Sequence, residues 1–324
     1  MPGFATHYLF GVKNLQQLKR TASCYRLLQS IDQNKTVFQS GLQGPDIFFY
    51  YPPSHLKKLR PGSLTHTRWT GDFLKCLIQS PRLFKKREDQ QTARAYAAGF
   101  IGHYILDTRI HPYVYYMTGT GDSLKSKGYG DHIALESDMD TCLLKRYAGC
   151  LPSAFDHGRT IYYHGHTRRV VARALHYAFQ TVFPELSLSR GQIIRAICSI
   201  QAGTRLTYNP GNYKRRLIGT AEKLLFRKVT VSPVIPTDHL LYKDPLNMRH
   251  RQWHNPWNPD CVTIESVPQL IKKASIRYQD ALTQLDLLYQ KNPYDFQYTA
   301  VLNHLCEFLG QQSYHSGLDW MLGE

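Results

Sequence analysis

The sequence predicts an all-α protein, a multi-helix bundle that ends in a C-terminal helical hairpin. Apolar residues recur at helical spacing, as in Val171, Leu175, Ala178 and Phe179, whereas apolar residues that alternate with polar ones, as in a strand, are scarce. The 324 residues, 42% of them hydrophobic, are enough to bury a large core. These observations favour helices packed on helices over a sheet-based fold.

The chain is expected to divide at a proline-rich stretch, because proline cannot continue a helix. We predict a helical domain over residues 1–230, a proline-rich loop over 231–262, and a helical hairpin over 263–324 that packs on the main body. Within that hairpin, the apolar spacing predicts helices at 263–290 and 294–312.

Charge and cysteine content restrict the partners and the compartment. The net charge is +16, and residues 145–228 alone hold fifteen Lys and Arg against three Asp and Glu. Such a surface favours anionic partners, namely a phosphate ester, a nucleic acid or an anionic membrane surface. The seven cysteines include no CxxC pair, which argues against disulfides and cysteine zinc sites. Without a signal-peptide pattern or a long apolar run, we expect a cytoplasmic protein.

One apolar helix, predicted at 98–117, carries three residues that can bind metal. His103, Asp107 and His111 follow one another at intervals of four, so they project from the same helical face. A buried carboxylate is costly unless a cation compensates it. The spacing therefore predicts a metal site on this face.

A second helix, predicted at 130–149 with Asp131 as its N-cap, repeats the pattern. His132 and Glu136 lie one turn apart, a spacing that lets both side chains bind one metal ion without straining the backbone. Two consecutive apolar helices, each with an imidazole and a carboxylate, indicate more than one metal ion.

Three further residues complete a recognisable order. His7, Asp46 in "GPD" and His66 precede the two helices, so the ligand types run H, D, H, HxxxD, H, HxxxE. This order resembles the zinc-dependent phospholipase C family, over residues 1 to about 180. The resemblance implies an all-α trizinc fold, which that family shares with the single-strand-specific zinc nucleases.

The resemblance also implies which residues share an ion. Asp46, His66, His103 and Asp107 would bind one zinc; His111, His132 and Glu136 a second; His7 and a bridging Asp107 a third. Asp46 would in addition orient or deprotonate the attacking water. Secreted members add an N-terminal tryptophan to the third zinc, but this sequence has no tryptophan before Trp69. We therefore expect two to three zinc ions.

Four residues are predicted to bind substrate. Phe48 and Tyr50 follow Asp46 and could form an apolar rim around the site. Arg249 and Arg251, in the proline-rich loop, could donate hydrogen bonds to the substrate phosphate. The expected function is phospholipase C-type cleavage of a phospholipid or related phosphodiester, and a terminal Glu136 favours this over the nucleases, which usually have Asp.

Two alternatives stay open. One is a single-strand nuclease-type phosphodiesterase, which the basic region and the aromatic residues would suit. The other is a non-catalytic metal-stabilised protein that binds lipid or nucleic acid. The sequence does not indicate an oligomeric state.

Overall fold

The computed structural model describes residues 3–21, 24–55, 60–119, 129–226 and 232–322. The predicted all-α fold is confirmed. The helices and the two strands, in chain order, are α1 (Phe4–Arg20), α2 (Tyr25–Gln33), α3 (Lys35–Gly41), α4 (Pro52–His55), α5 (Pro61–Thr67), α6 (Thr70–Gln79), α7 (Arg87–Thr118), α8 (Tyr129–Ala148), α9 (His157–Thr160), α10 (Gly165–Val182), α11 (Arg190–Thr207), α12 (Lys214–Phe226), β1 (Trp253–Asn255), β2 (Asn258–Thr263), α13 (Val267–Gln290) and α14 (Phe296–Leu309).

The long helix α7 lies at the centre of the bundle. Helices α1, α2, α3, α6, α8, α10 and α13 all pack against it, so its residues are buried on nearly every side from Gln91 to Val114. At Gly99 a Cβ atom would overlap the carbonyl oxygen of Phe38, so the absence of a side chain lets α3 approach the α7 backbone directly. Helix α7 begins at Arg87, well before the predicted residue 98. Its first turns are polar, so the apolar pattern did not indicate them.

One other predicted helix boundary was wrong. Helix α8 begins at Tyr129, so Asp131 lies in its first turn and is not the N-cap. His66 lies near the end of α5, which begins at Pro61. Proline is favoured in the first turn of a helix, since its missing N–H would have no partner there. The loop between α7 and α8 lies largely outside the described residues.

The predicted C-terminal hairpin is present as α13 and α14. Tyr278 of α13 is fully buried, stacks on Phe10 at 5.2 Å between ring centroids, and donates a hydrogen bond to the carbonyl oxygen of Ala98. One continuous apolar core includes residues from Ala5 of α1 to Tyr314 beyond α14. The domain boundaries at 230 and 262 stay a prediction.

The proline-rich stretch contains the antiparallel pair β1 and β2. Trp253 of β1 is buried edge-on against Tyr113 of α7, and its indole N–H donates a hydrogen bond to the carbonyl oxygen of Glu265. The stretch is therefore fixed to α7 by packing, while the side chains of Arg249 and Arg251 are exposed.

All seven cysteines lie in the described part of the chain and none forms a disulfide, as their scattered positions predict. Within the described ranges, no helix is long and apolar enough to cross a bilayer.

Candidate metal centre

The eight predicted ligands converge on one region of the bundle. They come from α1, α5, α7, α8 and the short 3-10 turn Gly44–Phe48, and in each group the ligand atoms lie within 4.8 Å of one another. The groups are His7, His103 and Asp107; Asp46, His66 and His103; and His111, His132 and Glu136. The structure thus brings together residues that are as much as 129 positions apart in the sequence.

Asp107 connects the first two groups through its two oxygens. Its Oδ2 lies 3.0 Å from Nε2 of His103 and 3.8 Å from Nε2 of His66. Its Oδ1 lies 3.0 Å from Nε2 of His7, whose ring stacks on that of His103 at 4.2 Å. Asp46 completes the second group, with Oδ1 3.2 Å from Nε2 of His66.

The third group lies between α7 and α8. Nε2 of His132 is 2.9 Å from Oε1 of Glu136, one turn further along α8, and Nε2 of His111 is 3.8 Å from the same oxygen. His111 is one turn after Asp107 on α7, so this group adjoins the other two. The four-residue intervals place these side chains as the sequence predicts.

Backbone carbonyls orient three of the imidazoles. Nδ1 of His103 donates a hydrogen bond to Leu42 at 3.0 Å, Nδ1 of His66 to Gly62 at 2.6 Å, and Nδ1 of His111 to Tyr314 at 2.8 Å. With the proton held on Nδ1, the lone pair of each Nε2 faces the centre. Histidines that bind metals are commonly oriented in this way.

Burial and neighbouring charges shift the pKa values in the centre. Burial lowers the pKa of His7, and lowers the pKa of His111 and His132 well below the usual value. Burial would raise the pKa of Asp107, but electrostatic interaction with the surrounding histidines, of which His103 contributes most, outweighs burial and holds that pKa well below its ordinary range. Neutral imidazoles beside an ionised carboxylate are the protonation states that metal binding requires.

His103 is shifted in the other direction. Burial would lower its pKa, but the carboxylates of Asp107 and Asp46 outweigh burial and raise it. A buried cation is therefore favoured at this point between the two carboxylates.

The atoms that face the centre need a cation. Asp46 Oδ1, both Asp107 oxygens and Nε2 of His66, His103 and His111 are buried without a properly oriented hydrogen bond, which is rare in native proteins. Among the described residues, no Lys or Arg pairs with Asp46 or Asp107. Ligands about 2.1 Å from a tetrahedral zinc are about 3.4 Å apart, and the contacts here run from 3.0 to 3.8 Å. The donor set and its spacing therefore fit zinc.

Sequence reasoning missed two groups that position the ligands. The Asp140 carboxylate of α8 accepts hydrogen bonds from the backbone N–H groups of Ala5 and Thr6, at 2.9 and 2.7 Å, and so caps the start of α1 beside His7. In the sequence, only the position of Asp140 one helical turn after Glu136 indicated that it lies near the ligands. The second group is the segment after α14.

That segment returns to the centre from the end of the chain. The Tyr314 N–H donates a hydrogen bond to the His66 carbonyl at 2.7 Å, and the Tyr314 carbonyl accepts from His111. The His315 ring lies 5.7 Å from that of His66 and 6.0 Å from that of His111, between centroids, and burial lowers its pKa to about 3. No motif spacing links these residues to the predicted ligands.

The predicted substrate residues have different surroundings. A cavity of about 300 Å³ is lined by Asp46, Glu136, Phe49 and Tyr50, among others. Phe48, in contrast, is fully buried in the core, edge-on to Phe179 at 5.1 Å. Arg249 and Arg251 do not line this cavity.

Gly44 provides a test of how tightly the centre is packed. It has φ of +50°, and a Cβ atom there would overlap the His103 ring. We expect Gly44→Ala to weaken zinc binding by about 10- to 100-fold, the range for disturbing a residue that orients a ligand. Competition with a chelator of known affinity measures the change.

Gly165→Ala is the matched control, because Gly165 has φ of +57° but nothing within 4 Å of an added Cβ. That variant should lose about 1–2 kcal/mol of stability to backbone strain and retain zinc affinity. Equal zinc affinity in the two variants would contradict the overlap with His103.

Comparison with known proteins agrees with this geometry. The family model described as "Zinc dependent phospholipase C" matches residues 6–189, more than half of the chain, and the match includes all eight ligands. No curated protein and no solved structure matches significantly. With this match and this set of converging ligands, the chain belongs to the zinc dependent phospholipase C family.

Proposed function

We propose that the protein is a zinc-dependent hydrolase that cleaves a phosphodiester bond of a phospholipid. The observation that carries the proposal is the cavity beside the metal centre. Its wall includes one carboxylate from each of two ligand groups, Asp46 and Glu136, so metal ions held by those groups would lie next to a phosphate ester bound in the cavity. The volume of about 300 Å³ is at the lower end for small-molecule sites.

The rest of the cavity wall suits a lipid. Its apolar side chains come from α1, α8, the Gly44–Phe48 turn region, the turn after α8 and the segment after α12, and they are Phe4, Phe49, Tyr50, Ile133, Pro152, Val234 and Pro236. Apolar walls with a few convergent polar groups are typical of small-molecule sites. A glycerol backbone with the first carbons of its acyl chains fits this chemistry better than a polar nucleotide.

The residues present would divide the metal ions as the family pattern implies. Asp46, His66, His103 and Asp107 Oδ2 would hold one ion, His111, His132 and Glu136 a second, and His7 with Asp107 Oδ1 a third. Zinc, when bound, lowers the pKa of water and stabilises the negative charge that develops on the phosphoryl oxygens.

Asp46 is the residue we propose to act on the attacking water. Its Oδ1 faces His66, and the residue also lines the cavity. The other oxygen, Oδ2, would accept the proton as the water attacks the phosphorus from the cavity side. The bond from phosphorus to the glycerol oxygen would break, and this oxygen would take up a proton from solvent as diacylglycerol leaves. Backbone carbonyls hold the Nδ1 protons of His66, His103 and His111, so each of these rings would bind zinc through Nε2.

Native mass spectrometry and a substrate screen test the proposal together. We expect at least two zinc ions per chain, and hydrolysis of short-chain phosphatidylcholine to diacylglycerol and a phosphorylated head group. Asp46→Asn should abolish turnover, whereas Asp280→Asn, at an exposed carboxylate of α13, should not. At most one metal per chain, or cleavage of single-stranded DNA and no phospholipid, would overturn the proposal.

A further inference from the structure

Helix α12 carries large apolar side chains that are exposed. Leu217 and Leu224 are seven residues apart, and therefore on the same face, and their side chains are 64% and 78% exposed. Tyr213, one turn before Leu217, is also exposed. Isolated exposed leucines are ordinary, but an aligned apolar ridge along a whole helix is not.

Among the described side chains, those of Arg215 and Glu222 on the opposite face of α12 are polar and contact the protein. Glu222 is only 6% exposed, and its carboxylate accepts a hydrogen bond from the Ser232 N–H at 3.0 Å. Arg215 donates a hydrogen bond to the carbonyl of Ile235 at 3.3 Å, and a Cβ at Gly219 would lie 3.2 Å from Ser232 Oγ. The helix is thus fixed by polar contacts, which leave its apolar ridge facing outward.

The ridge is linked to the cavity by a shared segment. Residues 232–236, on which α12 packs, also contribute Val234 and Pro236 to the cavity wall. Thr204 and Thr207, near the end of α11, line the same cavity. Helix α12, which carries the ridge, and the proposed substrate site therefore both contact the same short segment of the chain.

The charge around the ridge is positive. The α12 sequence, KRRLIGTAEKLLF, has four basic residues against Glu222, and it belongs to the region 145–228, whose balance of fifteen basic to three acidic residues supplies most of the net charge. Apolar side chains beside basic ones are the composition of helices that lie in the surface of anionic membranes. The excess of positive charge favours an anionic membrane over a second copy of this basic chain as the partner of the ridge.

We propose that the α12 ridge, defined by Tyr213, Leu217 and Leu224, docks the protein on the surface of an anionic phospholipid bilayer. The leucines enter the boundary between head groups and acyl chains, while the exposed Arg216, next to Leu217, lies near the phosphates. The inference rests on the proposed function and extends it, because docking through α12 would bring the cavity, whose wall includes Val234 and Pro236, close to the lipid surface.

Vesicle sedimentation tests the docking independently of catalysis. Zinc-loaded protein with Asp46→Asn would be mixed with vesicles of phosphatidylcholine, or of phosphatidylcholine with phosphatidylserine. We expect stronger binding to the vesicles that contain phosphatidylserine, and weaker binding at high salt. Changing Leu217 and Leu224 together to Gln should lower the partition coefficient at least about tenfold.

Leu287→Gln is the matched control, since Leu287 is a 45% exposed leucine on α13, and it should leave binding unchanged. All the replaced leucines are exposed, so the melting temperatures should agree. In the catalytically intact protein, the double change should reduce hydrolysis of vesicles but spare that of monomeric short-chain phosphatidylcholine.

Each other outcome has a distinct meaning. Equal vesicle binding by the double variant and the parent would overturn the docking surface. Loss of a dimer in analytical ultracentrifugation, without loss of vesicle binding, would assign the ridge to a second copy of the chain and overturn the proposal as well. Vesicle binding that depends on the ridge, without hydrolysis of any phospholipid, would support docking and refute only the proposed function.

Discussion

Replacing Asp107 by asparagine is expected to lower turnover by at least about a hundredfold, because changing only a residue that orients a ligand already costs 10- to 100-fold in metal affinity or activity. One oxygen of Asp107 lies 3.0 Å from Nε2 of His103 and 3.8 Å from Nε2 of His66, and the other lies 3.0 Å from Nε2 of His7. Asparagine keeps the shape but provides only one oxygen and no charge. Native mass spectrometry and initial rates at a fixed zinc concentration measure the loss.

His7→Ala is the informative comparison for Asp107→Asn. His7 belongs to one ligand group only, so its removal should cost at most one ion and leave the groups around His66 and His132 loaded. If the two variants retained equal metal content and activity, Asp107 would not be a shared ligand.

Asp107→Asn should also destabilise the zinc-free protein. Asp107 is fully buried, and the surrounding histidines hold its pKa well below the ordinary range, so its ionised form stabilises the fold at neutral pH. Removing one partner of a buried pair leaves the other without compensation, here His103 at 3.0 Å. Zinc-free Asp107→Asn should therefore melt at a lower temperature than the zinc-free parent at pH 7.

Removing the metal from the unaltered protein is expected to lower its melting temperature strongly. A zinc ion present at about 1,000 times its Kd stabilises the folded state by about 4 kcal/mol. For 324 residues, size scaling gives an unfolding entropy of about 0.7 kcal/mol/K, so each ion should account for about 6 °C. Calorimetry with and without a chelator measures the difference.

The physical reason is the set of buried ligand atoms without hydrogen bonds. Without zinc, the Asp46 and Asp107 oxygens remain buried and unsatisfied, and each such group costs free energy. Adding zinc back should restore the melting temperature, whereas magnesium should not, because it prefers all-oxygen octahedral sites. Complete metal loss with an unchanged melting temperature would show that these residues do not need the ion.

Much of the metal centre could be predicted from the sequence, because its ligands are spaced by local helical geometry. His103, Asp107 and His111 share a face of α7 for the same reason that His132 and Glu136 share a face of α8: four residues make about one turn. That relation depends only on the backbone of one helix. The order of ligand types then linked these helices to His7, Asp46 and His66, and the family match agrees.

Neighbouring aromatic residues show where the sequence was insufficient. Phe48 and Tyr50 are two positions apart and were equally plausible substrate contacts, but the 3-10 turn at Gly44–Phe48 directs Phe48 into the core against Phe179 and leaves Tyr50 at the cavity. Which of two similar rings faces the core depends on how the surrounding helices pack, and the sequence around Asp46 does not indicate that packing.

The all-α class, the excess of basic residues and the candidate ligands of α7 and α8 follow from composition or from spacing within one helix, so the sequence was sufficient to predict them. The candidate ligands His7, Asp46 and His66 came from the resemblance to the family. Only the tertiary structure decided which groups orient those ligands. Tyr314 accepts the hydrogen bond of His111 from 203 residues away, and Asp140 caps α1 from 134 residues beyond Thr6. Every residue has a backbone carbonyl, so no sequence pattern marks the one that will accept a hydrogen bond, and only the packing of distant elements selects it.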